Sequence, residues 1–246
     1  MRAILRRHRL WADLQPDVKM LTVRDDVGRA LDADEERRLL AACRTSRSRA
    51  LATAVTLALH TGMRRGEIQG LTWRQVDFLG QRLVVGQSKT EAGQGRGIPL
   101  NPTALQALET WASLFPERKA DHYIFAAERY GLATDDEKPH VHSVDPTRPL
   151  KSLKEAWESA KRNSGVRCRF HDLRHSACTR LIERGVPLPV VASLLGWSAG
   201  TTVRMARRYG HISAEAQRHA VMTLMPRPVA QANEKNARIW GSAVTA

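Results

Sequence analysis

The spacing of apolar residues changes twice along this 246-residue chain. Up to about residue 70 the apolar residues recur at helical intervals, as in Leu51, Val55 and Leu59. Between 71 and 100 they alternate in three short segments, RQVDF, RLVVG and RGIPL, which glycine-rich turns separate. Helical intervals then resume. This order predicts a mainly α protein with a small three-stranded antiparallel β-sheet, an α+β fold.

Capping residues indicate where several helices begin and end. Asp32 followed by Glu35 predicts a helix start with a capping box. Gly62 predicts a left-handed end for a helix at roughly 48–60, and Asn101 predicts another start. Further helices are predicted for LKSLKEAWESAKRN, HDLRHSACTRLIERG, LPVVASLLG, TTVRMARRYG and SAEAQRHAVMTL.

The segment 129–150, RYGLATDDEKPHVHSVDPTRPL, shows no regular spacing and is rich in Asp, Pro and His. It is therefore predicted to be a long exposed loop. His140 and His142 lie in it, and a lone H-x-H without further ligands is weak evidence for a metal site. We interpret them as solvated histidines.

The charge indicates a polyanionic partner. The chain carries 39 Lys and Arg against 25 Asp and Glu, a formal charge of +14, and has a pI near 10.6. Such a balance favours nucleic acid through release of counterions, although a basic surface can also serve solubility alone. We expect nucleic acid as the partner.

Other features argue against a membrane or secreted protein. No apolar run approaches the roughly eighteen residues of a membrane span. The N-terminal stretch MRAILRRHRLW has no apolar signal-peptide core. Cys43, Cys168 and Cys178 are odd in number and lack zinc-site spacing, so each is interpreted as a small buried residue. We expect a soluble, cytoplasmic protein that does not bind membranes.

Five short segments in order carry the candidate chemistry: TGMRRGEI, SKT, HDLRH, LLGW and RRYGH. Taken singly, each has an ordinary explanation. Arg174 could form a surface salt bridge, His171 could be a core histidine and Tyr209 could be a helix-end aromatic. The H-x-x-x-H spacing of HDLRH also suits a metal, but a zinc protease needs a glutamate where Asp172 stands.

In this order the segments resemble the catalytic domain of the tyrosine recombinases, the phage-integrase family. That family carries T-G-x-R-x-x-E, a lysine in a β-hairpin, H-x-x-R, and L-G-H or L-G-W about a dozen residues before a tyrosine. The resemblance extends roughly from Leu31 to Leu224. It implies a DNA breaking and rejoining enzyme that needs no metal, cofactor or ATP.

The resemblance assigns a role to each matching residue. Arg64 and Arg174 become the arginines that clamp the phosphate, and Tyr209 becomes the nucleophile. The implied catalytic set is Arg64, Lys89, His171, Arg174, Trp197 and Tyr209, with Glu67 in support. Trp197 stands where the family usually has histidine, and tryptophan can donate one N–H but cannot transfer a proton.

Elementary chemistry agrees with these roles. Attack on a phosphodiester adds negative charge to the nonbridging oxygens, and two arginines neutralise it with fixed donors that stay charged. A tyrosine has a pKa near 10, so its phenolate must be favoured by neighbouring cations or a base. Lys89 on a turn is a suitable acid for the leaving 5′-oxygen.

The resemblance also predicts organisation and partners. Residues 1–30 are interpreted as a linker with the possible end of an N-terminal core-binding domain, 31–225 as the catalytic domain, and 226–246 as a tail that is flexible or docks on a partner protomer. Phosphate contacts are expected from Arg65, Lys89, Arg204, Arg207 and Arg208. In the family, four protomers assemble on DNA.

Three other functions remain compatible with the residues. A type IB topoisomerase uses nearly the same chemistry but relaxes any plasmid, whereas a recombinase exchanges strands between specific sites. A non-catalytic DNA-binding relative would be expected to lack part of the residue set. A metal-dependent nuclease would lose its activity in EDTA.

Overall fold

The chain folds into two compact units, residues 1–196 and 197–246, and each is described by itself. The computed structural model describes residues 2–14, 28–130 and 141–209, together with 218 and 221. Most of the predicted helix SAEAQRHAVMTL, all of the tail 226–246 and His140 therefore lie outside the described residues, as does the side chain of His142.

Helices dominate the residues that the structure describes, which confirms the prediction of a mainly α protein. The first unit contains α1 (Arg2–Arg7), α2 (Trp11–Leu14), α3 (Ala33–Arg44), α4 (Arg49–Thr61), α5 (Arg65–Gln69), α6 (Pro102–Ala112), α7 (Lys154–Ser164), α8 (Phe170–Glu183) and α9 (Leu188–Leu195). The second unit contains α10 (Ala199–Tyr209). Within the described ranges, none of the helices combines the length and apolarity needed to cross a bilayer.

The predicted helix caps are present. The Asp32 side chain accepts a hydrogen bond from the Glu35 amide at 2.8 Å, and the Glu35 carboxylate accepts one from the Asp32 amide at 3.3 Å. Gly62 ends α4 with a φ of 64°, a conformation that glycine adopts without strain. Asn101 caps α6 by accepting from the Ala104 amide at 3.0 Å.

Helix α4 forms the centre of the first unit. The predicted apolar face of Leu51, Val55 and Leu59 is buried, but so are residues on the other faces, including Ala54 and Leu57. The helix packs against α3, α6 and α8, and an apolar helix covered on several sides is a core helix. Because α4 contacts α8, the segment that follows α4 comes to lie near HDLRH on α8.

The predicted three-stranded antiparallel sheet is also confirmed. Strands β1 (Val76–Asp77), β2 (Arg82–Val84) and β3 (Gly97–Pro99) pair in that order. Leu83 lies opposite Ile98, and both side chains are buried. The connection between β2 and β3 carries Lys89, as expected.

The prediction of a long exposed loop at 129–150 is wrong for the part that is described. Strand β4 (Ala126–Tyr130) pairs with β5 (Val141–Pro149) in an antiparallel ribbon that contains register shifts. The prolines of β5 obscure the strand pattern because they lack an N–H, yet their carbonyls still accept: the Tyr123 amide donates to Pro146 at 2.9 Å. Pairing with the preceding strand, which the spacing of apolar residues within this segment does not reveal, supplies the structure.

Candidate active site

Helix α5 positions the first candidate arginine. Arg64 directly precedes this short helix, where its backbone amide donates to Glu67 Oε2 at 2.8 Å. Its side chain also donates from Nη1 to Glu67 Oε1 at 2.8 Å, so backbone and side chain both bind the same carboxylate. The Arg64 side chain keeps 22% of its surface exposed and can reach a ligand from this fixed base.

Glu67 is a buried carboxylate saturated with donors. In addition to Arg64, it accepts from Ser88 Oγ at 2.6 Å and from Arg96 Nη1 and Nη2 at 3.1 and 2.7 Å. Burial opposes its ionisation, but these hydrogen bonds, first of all those from Arg96, outweigh burial and lower the pKa of Glu67 to about 2. The carboxylate is therefore a permanent anchor for two arginines.

We expect Glu67→Gln to destabilise the protein by about 3 kcal/mol at pH 7, because it leaves buried arginines without their counter-ion. The folded-state pKa of Glu67 lies below its ordinary value of 4.5, so this contribution is present above pH 4.5 and is lost as the pH falls towards 2. Urea unfolding of both proteins between pH 7 and pH 3 measures it. Glu155→Gln, at a carboxylate 91% exposed, is the control; a pH-independent difference would refute the expectation.

Arg174 on α8 is buried and fixed by two helix ends. Nη1 donates to the carbonyl of Gly62 at 2.7 Å, and Nη2 donates to the carbonyl of Leu195 at 2.5 Å. These carbonyls lie at the C-termini of α4 and α9, where the helix dipole favours a cation. The interpretation of Arg174 as a surface salt bridge is therefore wrong.

The surroundings of Arg174 disfavour its positive charge but do not remove it. Burial, followed by the nearby charge of Arg64, lowers the pKa of the Arg174 guanidinium to about 9. The group stays protonated at neutral pH. An arginine that is desolvated and close to a second arginine gains when an anion binds between them, as a phosphodiester would.

His171 lies in the first turn of α8 and keeps access to solvent, so it is not a core histidine. Its ring packs edge-to-face on that of His175, with centroids 5.0 Å apart. Burial of the ring, followed by the charges of His175 and Arg174, lowers the pKa of His171 to about 4. Asp172, which made the zinc interpretation poor, has a structural use: it accepts from the Arg169 amide at 2.7 Å and caps α8.

We expect the His171 imidazole to stay neutral from pH 8 down to pH 5. Its folded-state pKa lies below the ordinary value of 6.5, so the neutral ring contributes stability above pH 6.5 that is lost as the pH falls through about 4. Two-dimensional ¹⁵N NMR across this range reports the protonation state, with the signal assigned by His171→Gln. A titration midpoint near 6.5 would contradict the expectation.

Lys89 lies in the connection between β2 and β3, and its side chain is exposed. Its neighbours are attached to the site on both sides. Ser88 donates to Glu67, and Thr90 Oγ1 makes a long 3.5 Å contact with the carbonyl of Gly196. The ammonium can therefore move while its backbone stays beside Glu67.

Sequence reasoning missed Arg96, whose side chain donates four hydrogen bonds within the cluster. Its side chain is 6% exposed and binds Glu67 together with backbone carbonyls from two other segments. The only local signal was an arginine between two glycines in GQGRGIPL, and this pattern is equally typical of an exposed turn. Two of Arg96's three partners, Glu67 and Leu194, lie 29 and 98 residues away.

The structure brings together the candidate residues of the first unit. The charges of Arg64 and Glu67 act on Arg174, and the charge of Arg174 acts in turn on His171. Arg65, at the start of α5, is exposed and free to contact a ligand from outside. The cluster presents two arginines, a neutral imidazole and a nearby lysine, a set suited to an anion that gains charge.

The second unit holds the remaining candidates. Trp197 precedes α10, and Arg204, Arg207, Arg208 and Tyr209 all lie on this helix, with Tyr209 as its last residue. Arg204 is exposed, and its Nη2 is 3.4 Å from Thr201 Oγ1. The side chains of Arg207, Arg208 and Tyr209 lie outside the described residues.

Comparison with known proteins identifies the family. The model of the phage integrase family matches residues 29–216, which is most of the chain. The chain belongs to the phage integrase family. Among its relatives, the integrase of Salmonella phage P22 is 28% identical over 220 residues, covering 87% of this chain and 52% of the phage protein. This chain therefore spans about half the length of that integrase.

Solved structures of integrases share the fold. The Tn1549 transposon integrase in complex with a circular intermediate DNA superposes with a TM-score of 0.61 at 18% identity, covering 89% of this chain and 76% of that one. A lambda integrase tetramer bound to a Holliday junction gives a TM-score of 0.54 at 24% identity, covering 85% and 57%. The α-helical fold with a small antiparallel sheet is thus that of the integrases.

Proposed function

We propose that this chain is the catalytic part of a site-specific DNA recombinase, which cleaves and rejoins duplex DNA through a 3′-phosphotyrosyl intermediate. Membership of the integrase family supports this function. The observation that carries the proposal is the pair of anchored arginines. Arg174 is held by two helix-end carbonyls, and Arg64 is held by the carboxylate of Glu67. Such preorganised donors stabilise charge that develops during a reaction.

In the proposed reaction, the phenolic oxygen of Tyr209 attacks the scissile phosphorus. The new bond joins this oxygen to phosphorus, and the bond from phosphorus to the 5′-oxygen breaks. His171, neutral at pH 7, accepts the phenolic proton, while Lys89 donates a proton to the departing 5′-oxygen. The phosphotyrosine conserves the energy of the phosphodiester, so rejoining needs no ATP.

Arg64 and Arg174 have the role of neutralising the nonbridging oxygens. Each fixed donor of this kind is worth about 3 to 4 kcal/mol of barrier. Trp197 is assigned a single N–H hydrogen bond to the phosphate. With two permanent cations in place, charge stabilisation requires no metal ion.

The proposed partner is double-stranded DNA. Its backbone is contacted by Arg65, Lys89, Arg204, Arg207 and Arg208, and the charge of +14 supports such contacts. Because the related Tn1549 and lambda integrases were solved on DNA, the latter as a tetramer, we also propose self-association on DNA. The protein, encoded by a bacterium or by a phage, is assigned to the cytoplasm in association with the nucleoid.

The proposed division of the chain follows the expected roles. Residues 1–30 act as a linker from a core-binding domain, and residues 31–225 form the catalytic domain. The tail 226–246, expected to be flexible or to dock on a partner protomer, lies outside the described residues. The family match at 29–216 supports the start of the catalytic domain near residue 30.

The reaction can be tested without knowledge of the target site. The chain is incubated in EDTA, without ATP, with randomised duplexes that carry a nick just 3′ of each potential cleavage position, so that the released fragment diffuses away. We expect covalent adducts that retain a label at the 5′ end of the cleaved strand and lose one at the 3′ end. Activity that requires a divalent metal would indicate a nuclease, and binding without adducts a non-catalytic relative.

A second assay separates recombination from topoisomerase activity. Sites recovered from the adducts are placed in pairs on one plasmid. A recombinase exchanges strands between the two sites, whereas a type IB topoisomerase relaxes plasmids with or without them. Plasmid relaxation that is independent of the sites, without strand exchange between them, would show that the chain acts as a topoisomerase and not as a recombinase.

We expect DNA binding to weaken steeply with salt. If six to ten phosphates are contacted, affinity falls by about 10³ to 10⁵ between 50 and 200 mM salt. Fluorescence anisotropy with a labelled duplex measures the slope. Arg65→Ala should make the slope shallower by about one phosphate contact, whereas Arg44→Ala, at an exposed arginine outside the candidate set, is the control. A flat salt response would contradict the proposed contacts.

A further inference from the structure

Arg96 joins two of the candidate sequence segments to the connection that carries a third. Nη2 and Nη1 donate to the two oxygens of Glu67 at 2.7 and 3.1 Å. Nη1 also donates to the carbonyl of Gly93 at 2.6 Å, and Nε donates to that of Leu194 at 2.9 Å. Glu67 belongs to TGMRRGE, Gly93 to the connection that carries Lys89, and Leu194 to LLGW.

The site is built around this guanidinium. A buried charge is tolerated when it is paired and its donors are satisfied, and Arg96 meets both conditions with a side chain only 6% exposed. Two glycines leave room for it. A Cβ at Gly93 would lie 2.3 Å from Ser88 Oγ and 3.1 Å from Arg96 Nη1, and one at Gly196 would lie 2.6 Å from Gly93 Cα.

These contacts pin the Lys89-bearing connection at both ends. Ser88 binds Glu67 at 2.6 Å on one side of Lys89, and Gly93 binds Arg96 on the other. The ammonium of Lys89 extends from a short backbone segment between two fixed points. Arg96 and Glu67 therefore determine which positions the Lys89 ammonium can occupy, although the Lys89 side chain is exposed.

Arg96 also preserves the charge available to a phosphate. Glu67 alone would neutralise Arg64, but with Arg96 on the same carboxylate the three groups keep a net charge of about +1. The Glu67 carboxylate also accepts hydrogen bonds from Arg96, Ser88 and the Arg64 amide. A single side-chain nitrogen of Arg64, Nη1, therefore binds this carboxylate. The remaining donors of Arg64 point to no carboxylate within the described part of the chain.

We propose that Arg96 is a positioning residue that holds the Lys89-bearing connection against Glu67, so that the Lys89 ammonium reaches the departing 5′-oxygen. This role rests on the proposed recombinase reaction. Arg96 contacts no reacting atom and acts through Lys89. Its loss would therefore impair protonation of the leaving group more than binding of DNA.

A sulfur leaving group distinguishes this role from a general structural one. A thiolate is a far weaker base than an alkoxide, with a thiol pKa of about 8.5, and leaves without a proton donor. We would measure single-turnover cleavage of an adduct-forming nicked duplex and of its counterpart with sulfur in place of the 5′-bridging oxygen. Arg96→Met should slow cleavage of the oxygen substrate at least tenfold, towards the roughly 100-fold typical of a lost general acid, and leave the sulfur substrate within about threefold.

Two further variants complete the design. Arg96→Lys keeps the charge beside Glu67 but cannot span Gly93 and Leu194, so an intermediate defect, again rescued by sulfur, is expected. It also replaces Arg96→Met should the latter fail to fold. Arg38→Met is the matched control, because Arg38 likewise binds a carboxylate, that of Asp34, and a backbone carbonyl, that of Ser164. This variant should cleave both substrates at the wild-type rate.

Several results would overturn the proposal. Wild-type rates for Arg96→Met, or equal slowing of both substrates, would show that Arg96 does not act through Lys89. Hydrogen exchange provides a readout independent of cleavage: both Arg96 variants should exchange faster at residues 86–95, and unchanged exchange would refute the pinning. If the wild-type chain forms no adduct while exchange rises as expected, the recombinase function fails and the pinning by Arg96 stands.

Discussion

Replacing Tyr209 with phenylalanine is expected to abolish covalent attachment of the chain to DNA. The change removes one oxygen atom, the proposed nucleophile, and keeps an aromatic residue at the last position of α10. Phenylalanine has no oxygen to bond to phosphorus, so the residual yield of adduct should be indistinguishable from background. The yield on nicked 5′-labelled duplexes, read on denaturing gels, measures the effect.

The other tyrosines supply the control. The chain has three, and Tyr123→Phe removes the same atom from a residue in the first unit. This variant should form adducts as the wild type does. Duplex binding should be unchanged in both variants, because a lost hydroxyl removes no positive charge. Adducts that persist in Tyr209→Phe would assign the nucleophile to another residue.

Replacing Arg174 with lysine is expected to slow adduct formation by about 10²- to 10³-fold, the usual effect of losing one fixed donor to a developing charge. Lysine keeps the charge, but its single ammonium cannot bind the Gly62 and Leu195 carbonyls and a phosphate with the planar geometry of a guanidinium. Single-turnover rates at saturating DNA measure the change. A rate within threefold of wild type would show that Arg174 does not stabilise the charge that develops on the phosphate.

The same position tests the structural role of the guanidinium. Arg174→Met leaves two buried carbonyls without a donor and should lower the free energy of unfolding by about 2 kcal/mol or more, measured by urea denaturation. Arg118→Lys is the control for both experiments, since Arg118 also donates to two carbonyls, Ala112 and Phe115, but at an exposed site. It should leave rate and stability nearly unchanged.

Features with local causes could be predicted from the sequence. The caps at Asp32, Gly62 and Asn101 depend on residues within one turn, and the structure has all three. The three-stranded sheet was also predictable because Leu83 and Ile98 alternate with exposed residues on short neighbouring strands. The motif order indicated the family, which the family match confirms.

Features that depend on tertiary pairing could not be predicted. Strand β5 forms through pairing with the preceding strand β4, and its own prolines conceal it. The sequence allowed Arg174 to be interpreted as part of a surface salt bridge. Nothing in the neighbouring residues indicates that its guanidinium binds the carbonyls of Gly62 and Leu195. The importance of Arg96 follows from partners that only the fold brings near. The roles of the individual site residues stay predictions for the experiments above.

The central claim is tested most directly by locating the amino acid that becomes joined to DNA. Adducts formed on the nicked duplexes are digested with nuclease and trypsin, and the nucleotide-bearing peptide is sequenced by mass spectrometry. We predict a nucleotide attached through its 3′-phosphate to Tyr209, within the peptide YGHISAEAQR at residues 209–218. A nucleotide on any other residue, or one attached through a 5′-phosphate, would contradict the account.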